Sequence, residues 1–138
     1  MKLNADLIRT RCEEIEESVR RLEGFRSVTK EQFVADRDGL DIACYRLLVA
    51  IEAALALCYH VSATRLQKVP EEYAECFANL GQADILSGGL AGRLQQMARF
   101  RNLLVHMYWK IDYERVYDLI QGNLADLRVF ASAISRLL

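Results

Sequence analysis

Apolar positions recur along most of this chain with the three- and four-residue spacing of a helix that has one buried face. Leu7, Ile8, Cys12, Ile15, Val19 and Leu22 fit one such face, predicting a helix from about Leu3 to Leu22 that Gly24 stops. Its other face carries Arg9, Arg11, Glu13, Glu14, Glu16, Glu17 and Arg20, as a solvated surface does. Thr29-Lys30-Glu31-Gln32 has the form of a capping box and predicts a short helix to about Ala35. Asp36 or Asp38 then caps a long helix through Leu40, Ile42, Ala43, Leu47, Leu48, Ile51, Ala54, Leu55 and Cys58, with Gly39 weakening its start. The alanines from Ala50 to Ala56 invite close approach by another helix.

Further on, Val69-Pro70-Glu71-Glu72 opens a helix with the stripe Tyr73, Phe77 and Leu80, ended by Gly81. Ser87-Gly88-Gly89 reads as a plain loop before a helix from about Leu90 to Trp109. Asp112 caps a last helix carrying Val116, Leu119, Ile120, Leu124, Leu127, Phe130, Ala131, Ile134 and Leu137. The expected fold is all-α: an antiparallel bundle of four long helices plus a short one, as a single domain over residues 1–138. No repeat or linker interrupts it.

Composition agrees: 52% hydrophobic and 27% charged residues, with 7 glycines and 1 proline, favour a helical core over disorder. A formal net charge of −1 excludes nucleic-acid binding through the whole surface and restricts it to a local basic patch or one assembled from two chains. Cys12, Cys44, Cys58 and Cys76 lack C-x-x-C pairing and histidines at zinc spacing, so they read as small buried thiols, and no metal or cofactor is expected. Met1 to Arg21 is charged throughout and fits no secretory leader. The apolar run Leu47 to Tyr59 is broken by Glu52 and too short for a bilayer, so a cytoplasmic protein without a membrane partner is expected.

The candidate chemistry lies in residues 99–110, which hold one of the 2 histidines and the 1 tryptophan. On a helical wheel Met97, Phe100, Leu104, Met107 and Ile111 form the core seam, with Leu103 at its margin. Arg101 and Tyr108, seven apart, are expected one above the other at the seam's edge. His106 falls nearly opposite the seam with Asn102 one turn below it, Val105 among them and Trp109 nearby, so partial cover of the outer side is expected. An imidazole can take a proton from a ribose 2′-hydroxyl near neutral pH, and a guanidinium can grip the phosphate as charge grows on it. One histidine does not easily serve as both base and acid, whereas two copies across a two-fold axis do. Of the remaining candidates, Arg99 extends a local basic rim for RNA. His60 reads as structural, bonding terminal carbonyls at the end of the long helix. Arg93, Lys110, Arg115, Asp36, Arg37, Asp38 and the tyrosines Tyr45, Tyr59, Tyr113 and Tyr117 are explained by surface charge, capping and packing.

Arg101-x-x-x-x-His106-x-Tyr108, with Asn102 after the arginine, resembles the signature of the HEPN superfamily and most closely that of its HepT-like toxin branch. The framing Met97-Ala98-x-Phe100-Arg101-Asn102-x-Leu104-Val105-His106-x-Tyr108 and the Ala50-Ile51-Glu52-Ala53 stretch extend the resemblance over most of the chain. So do Tyr73, Phe77 and Leu80. The resemblance implies a helical homodimer whose paired motifs line a cleft and cleave RNA without a metal. Under it Arg101 and His106 are catalytic and Asn102 supports them. It also implies a minimal nucleotidyltransferase antitoxin as partner, with Tyr108 the acceptor of transferred AMP close to Arg101. The alternative is a non-catalytic subunit that docks a nucleotidyltransferase or presents its substrate.

Overall fold

The computed structural model describes residues 2–138; Met1, the first residue of the expected domain, lies outside them. Helix α1 (Ala5–Glu23) starts where the Asn4 side chain accepts from the Leu7 amide at 3.1 Å and closes at Gly24. Helix α2 (Lys30–Ala35) carries the predicted box, Thr29 and Gln32 each accepting from the other's amide. Asp36 caps α3 (Arg37–Arg65), its carboxylate accepting from the Gly39 amide at 3.1 Å. A Cβ at Gly39 would stand 2.5 Å from Asp36 Oδ2 and 3.3 Å from the Phe25 ring, so glycine is what lets this cap close.

α3 is the axis of the bundle, packing against α1, α4, α5 and α7. The alanines Ala50, Ala53 and Ala54 are buried on it, as the close approach of neighbours requires. The helix runs well past the apolar stretch seen in the sequence, and by length and composition alone it could cross a membrane. Half of its most apolar window is instead buried inside the protein.

Helix α4 (Tyr73–Gln82) begins later than expected, because Pro70 is buried in the preceding loop rather than placed in a first turn. Ser87 caps α5 (Gly88–His106), accepting from the Leu90 amide at 3.2 Å. A Cβ at Gly81 would meet the Ala91 Cβ at 2.8 Å, so a missing side chain sets the close approach of α4 to α5.

The last two elements depart most from the periodicity. α5 ends at His106, followed by one 3₁₀ turn, Tyr108–Lys110. The expected final helix is two: α6 (Tyr113–Gly122), capped by Asp112, and α7 (Leu124–Ser135). Asn123, at φ −124° and ψ 0°, breaks the line, and its side-chain Nδ2 donates to Asp126 Oδ2 at 3.2 Å. The break lets α6 pack on α2 while α7 packs on α1 and α3, so each half buries its own stripe.

Phe33, Phe77, Phe100 and Phe130 are fully buried, with Phe77 and Phe130 meeting edge to face at 5.5 Å. Cys58 and Cys76 are buried and Cys12 and Cys44 half-buried, all as free thiols. Burial, with Asp41 adding, pushes the Cys44 thiol up to about 11, and burial pushes Cys58 up as well. Thiols held protonated in this way are poor nucleophiles. His60 has a structural role different from the expected one. It lies five residues before the end of α3, and its Nε2 accepts from the Asn4 amide at 2.9 Å, tying the start of α1 to α3.

Arg128 on α7 clasps two carboxylates of α1, donating to Glu16 at 2.9 Å and to Glu23 at 2.7 and 3.0 Å. These bonds are the main reason both carboxyls are held below their ordinary 4.5. A depressed folded-state value stabilises above the ordinary carboxylate range and is lost as pH falls through the folded value. The thermal midpoint is therefore expected to drop on acidification below about pH 4.5, and to drop less in Arg128→Met. Glu16 is well exposed and Glu23 half-exposed, so solvent screens the clasp and the effect is modest. Circular-dichroism melts across pH check it, and parallel curves for the two proteins would refute it.

Candidate active site

Three side chains of α5 form one line along its outer face. Arg99, Asn102 and His106 follow at i, i+3 and i+7, and all are exposed. They make one wall of a groove of about 570 Å³. The opposite wall comes from the far part of α3 and the start of α4: Tyr59, Glu71, Glu72, Tyr73 and Ala74. The partial cover expected over His106 and Asn102 is not present among the described residues of the chain: the start of α4 faces them across the groove, and both stay exposed. The seam on the other face is as read for Met97 and Phe100, which are buried, while Leu104, Met107 and Ile111 are half-buried.

Arg101 stands behind this wall. Only 11% of its side chain is exposed, because three neighbours enclose it. Its Nε donates to Glu52 on α3, its Nη1 donates to Asn102 Oδ1 at 3.1 Å, and its guanidinium lies 4.6 Å from the centroid of the Tyr73 ring. Asn102 and Tyr73 both line the groove, so the structure couples Arg101 to it through two contacts. A guanidinium presents its donors in one rigid plane; fixing Nε on a carboxylate therefore fixes the direction of the remaining Nη donors.

His106 has no hydrogen-bond or ion-pair partner among the described residues, and neither does the Arg99 side chain. The other basic residues of the region are engaged or elsewhere: Arg93 pairs with Asp126 at 3.0 Å, and Arg115 lies over the Phe100 ring at 5.0 Å. No group of three or more His, Cys, Asp or Glu side chains suited to a metal ion occurs among the described residues.

Tyr108 is not where the helical wheel puts it. Because α5 stops at His106, Tyr108 does not stack two turns above Arg101. Met107 leaves the helix at φ −136° and ψ 46°, and the Lys110 amide returns to the Met107 carbonyl at 2.8 Å. Tyr108 is 67% exposed, with its ring edge-to-face against an equally exposed Trp109 at 5.4 Å. It lines a separate cavity of about 250 Å³ with Asp41, Cys44, Tyr45, Leu48, Leu104, Ile111 and Tyr113. That cavity adjoins the arginine, since Leu104 follows Arg101 by one turn and Leu48 precedes Glu52 by one turn.

Glu52 is the acidic partner of Arg101, a role not assigned to it from the sequence, although the sequence carries a signal for it. A lone carboxylate inside an apolar core helix needs a partner. Tyr59, Glu71 and Glu72 carried no comparable signal, since only the turn before α4 brings them opposite α5.

An α-helical bundle with an Arg-x-x-x-x-His motif at a groove is the class that fold and site define. The chain belongs to the family described as ribonuclease HepT-like, whose sequence pattern matches residues 15–134. It is similar to the mRNA nuclease HepT of Shewanella oneidensis, 25% identical over 103 residues, which cover 75% of this chain and 77% of that protein. The fold is that of the tri-AMPylated Shewanella oneidensis HEPN toxin solved in complex with its MNT antitoxin. The TM-score there is 0.87 at 22% identity, over 96% of this chain and 99% of the toxin. The cytosolic protein YutE of Bacillus subtilis, of unknown function, shares the fold at a TM-score of 0.78 and 16% identity, over 100% of this chain and 93% of that one.

Proposed function

We propose that this chain is a metal-independent endoribonuclease toxin that acts in the cytoplasm as a homodimer and is silenced by a cognate nucleotidyltransferase antitoxin. One observation carries the reading: an unpaired His106 shares a groove with Asn102, whose side chain is bonded to Arg101. In the reaction, His106 takes the proton of a ribose 2′-hydroxyl as its oxygen bonds to phosphorus. Arg101, oriented by Glu52 and Asn102, offsets the charge growing on the phosphoryl oxygens. The bond from phosphorus to the 5′-oxygen breaks, and that oxygen takes a proton from the imidazolium of the second copy. The products are a 2′,3′-cyclic phosphate and a 5′-hydroxyl. Arg99, free at the groove's rim, attracts the flanking backbone.

The same reading makes Tyr108 the acceptor of AMP, in keeping with its exposure and with the AMPylated state of the Shewanella toxin. Tyr108 lines a cavity with Leu104, which lies one turn along from Arg101, so AMP there places negative charge and bulk on the arginine's side of α5 without filling the groove. A second reading, a non-catalytic docking subunit, draws on the exposed Tyr45, Tyr108 and Trp109.

One experiment separates these readings. The chain purified alone should cut RNA in EDTA, leaving cyclic-phosphate ends; co-expressed with its transferase it should gain AMP mass on Tyr108 and stop cutting. RNA left intact by the unmodified, folded protein overturns the nuclease reading and favours docking. Modification that persists in Tyr108→Phe overturns only the role of Tyr108.

A further inference from the structure

The two walls of the groove differ in chemistry. The α5 wall offers a cation, an amide and an imidazole; the α4 wall, which Tyr59 of α3 completes, offers two tyrosines and two carboxylates. Tyr59 and Tyr73 meet edge to face, 6.0 Å between centroids at 83°, forming one aromatic corner. Glu72 occupies the N-cap position of α4, yet its side chain makes no capping bond. Glu75 bonds back to the Glu71 amide at 3.0 Å instead. The Glu72 carboxylate consequently has no protein partner among the described residues, and although Arg99 lines the same groove the two do not pair. Opposite charges that share a groove without meeting leave room for a ligand to contact both. The volume falls within the range of small-ligand pockets, about 300–1,000 Å³.

Resting on the nuclease reading above, we propose that the α4 wall is a guanine subsite, with Glu72 its specificity-determining residue. Single-stranded RNA is read by laying bases on aromatic side chains and bonding their Watson–Crick edges. A carboxylate only accepts hydrogen bonds. Guanine alone among the four bases presents two adjacent donors on that edge, N1–H and the 2-amino group, matching both oxygens of one carboxylate. Adenine and cytosine set a ring-nitrogen acceptor beside their amino group, and uracil flanks its one donor with two carbonyls, so each turns a lone pair toward Glu72. With the base on the Tyr59–Tyr73 corner, its phosphate faces the Arg99, Asn102 and His106 side of the groove.

The test uses oligouridylates carrying one guanosine, inosine or adenosine. Cleavage next to guanosine should exceed that next to adenosine by about tenfold or more, the discrimination a bidentate base contact gives. Inosine, lacking the 2-amino group, should fall between. Glu72→Gln should bring the guanosine rate down to the adenosine rate. Equal rates in the wild type, or a guanosine preference that survives Glu72→Gln, overturns the subsite. So does a uniform rise on every substrate in Glu72→Gln, which would show that the carboxylate only repels phosphate. Fluorescence-polarisation binding of the same oligonucleotides to His106→Ala protein gives an independent readout. Guanosine-selective binding lost in the His106→Ala/Glu72→Gln double variant supports the subsite even if no RNA is cut. Cleavage and binding without base preference overturn it while the nuclease reading stands.

Discussion

His106→Ala is expected to lower RNA cleavage by about 10²–10⁴-fold, the contribution of a positioned general acid or base. The substitution should leave the fold intact, because the imidazole is exposed and bonds to no other described residue. The sharper form of the experiment uses mixed dimers. If each turnover draws its base from one copy and its acid from the other, a dimer of one wild-type and one His106→Ala chain has no complete site. Its rate should fall nearly to that of the doubly substituted dimer. A mixed dimer with about half the wild-type rate would show that each histidine works alone, and would remove the reason for pairing two grooves. Matching circular-dichroism melts for all three species separate this outcome from misfolding.

The periodicity was a good guide wherever one helix buries one face, and a poor one where the chain turns without a marker. The first three helices carry side-chain signals at their starts, Asn4, Thr29 and Asp36, and each of these makes a capping bond. The end of α5 carries no glycine or proline, and apolar residues continue in register through Met107 and Ile111, so a wheel drawn through them stays smooth. The backbone nevertheless leaves the helix at Met107, before α6 begins anew at its Asp112 cap. This one event moves Tyr108 from the Arg101 edge to a neighbouring cavity. The α5 half of the site was legible because Arg99, Asn102 and His106 lie within one helix, where spacing fixes direction. The other half was not. Tyr59, Glu71, Glu72 and Tyr73 reach it through tertiary packing, which a local period does not encode; Glu52 shows in the sequence as a lone carboxylate in an apolar helix, but its partner does not.

The arginine carries the second large effect. Arg101→Lys should lower kcat/KM by about 10²-fold or more, near the loss from removing one donor that stabilises a developing oxyanion. Lysine keeps the charge but cannot bond Glu52 and Asn102 in one plane while presenting a further N–H to phosphate. The loss should fall mainly on kcat, since the donors matter most as charge gathers on the phosphoryl oxygens. Glu52→Gln should cost less than Arg101→Lys, because the amide oxygen still accepts from Nε. Glu52→Ala should approach the lysine variant, because only the Asn102 bond and the Tyr73 ring then hold the guanidinium and its Nε is left without an acceptor. Single-turnover rates and binding curves for the three proteins check this ranking. A lysine variant that kept most of the wild-type rate would mean that positive charge alone suffices, leaving Glu52 as no more than a helix-to-helix tie. The proposed ranking instead makes α3 part of the catalytic apparatus. The helix that fills the core also holds, through one carboxylate, the direction of the arginine on α5.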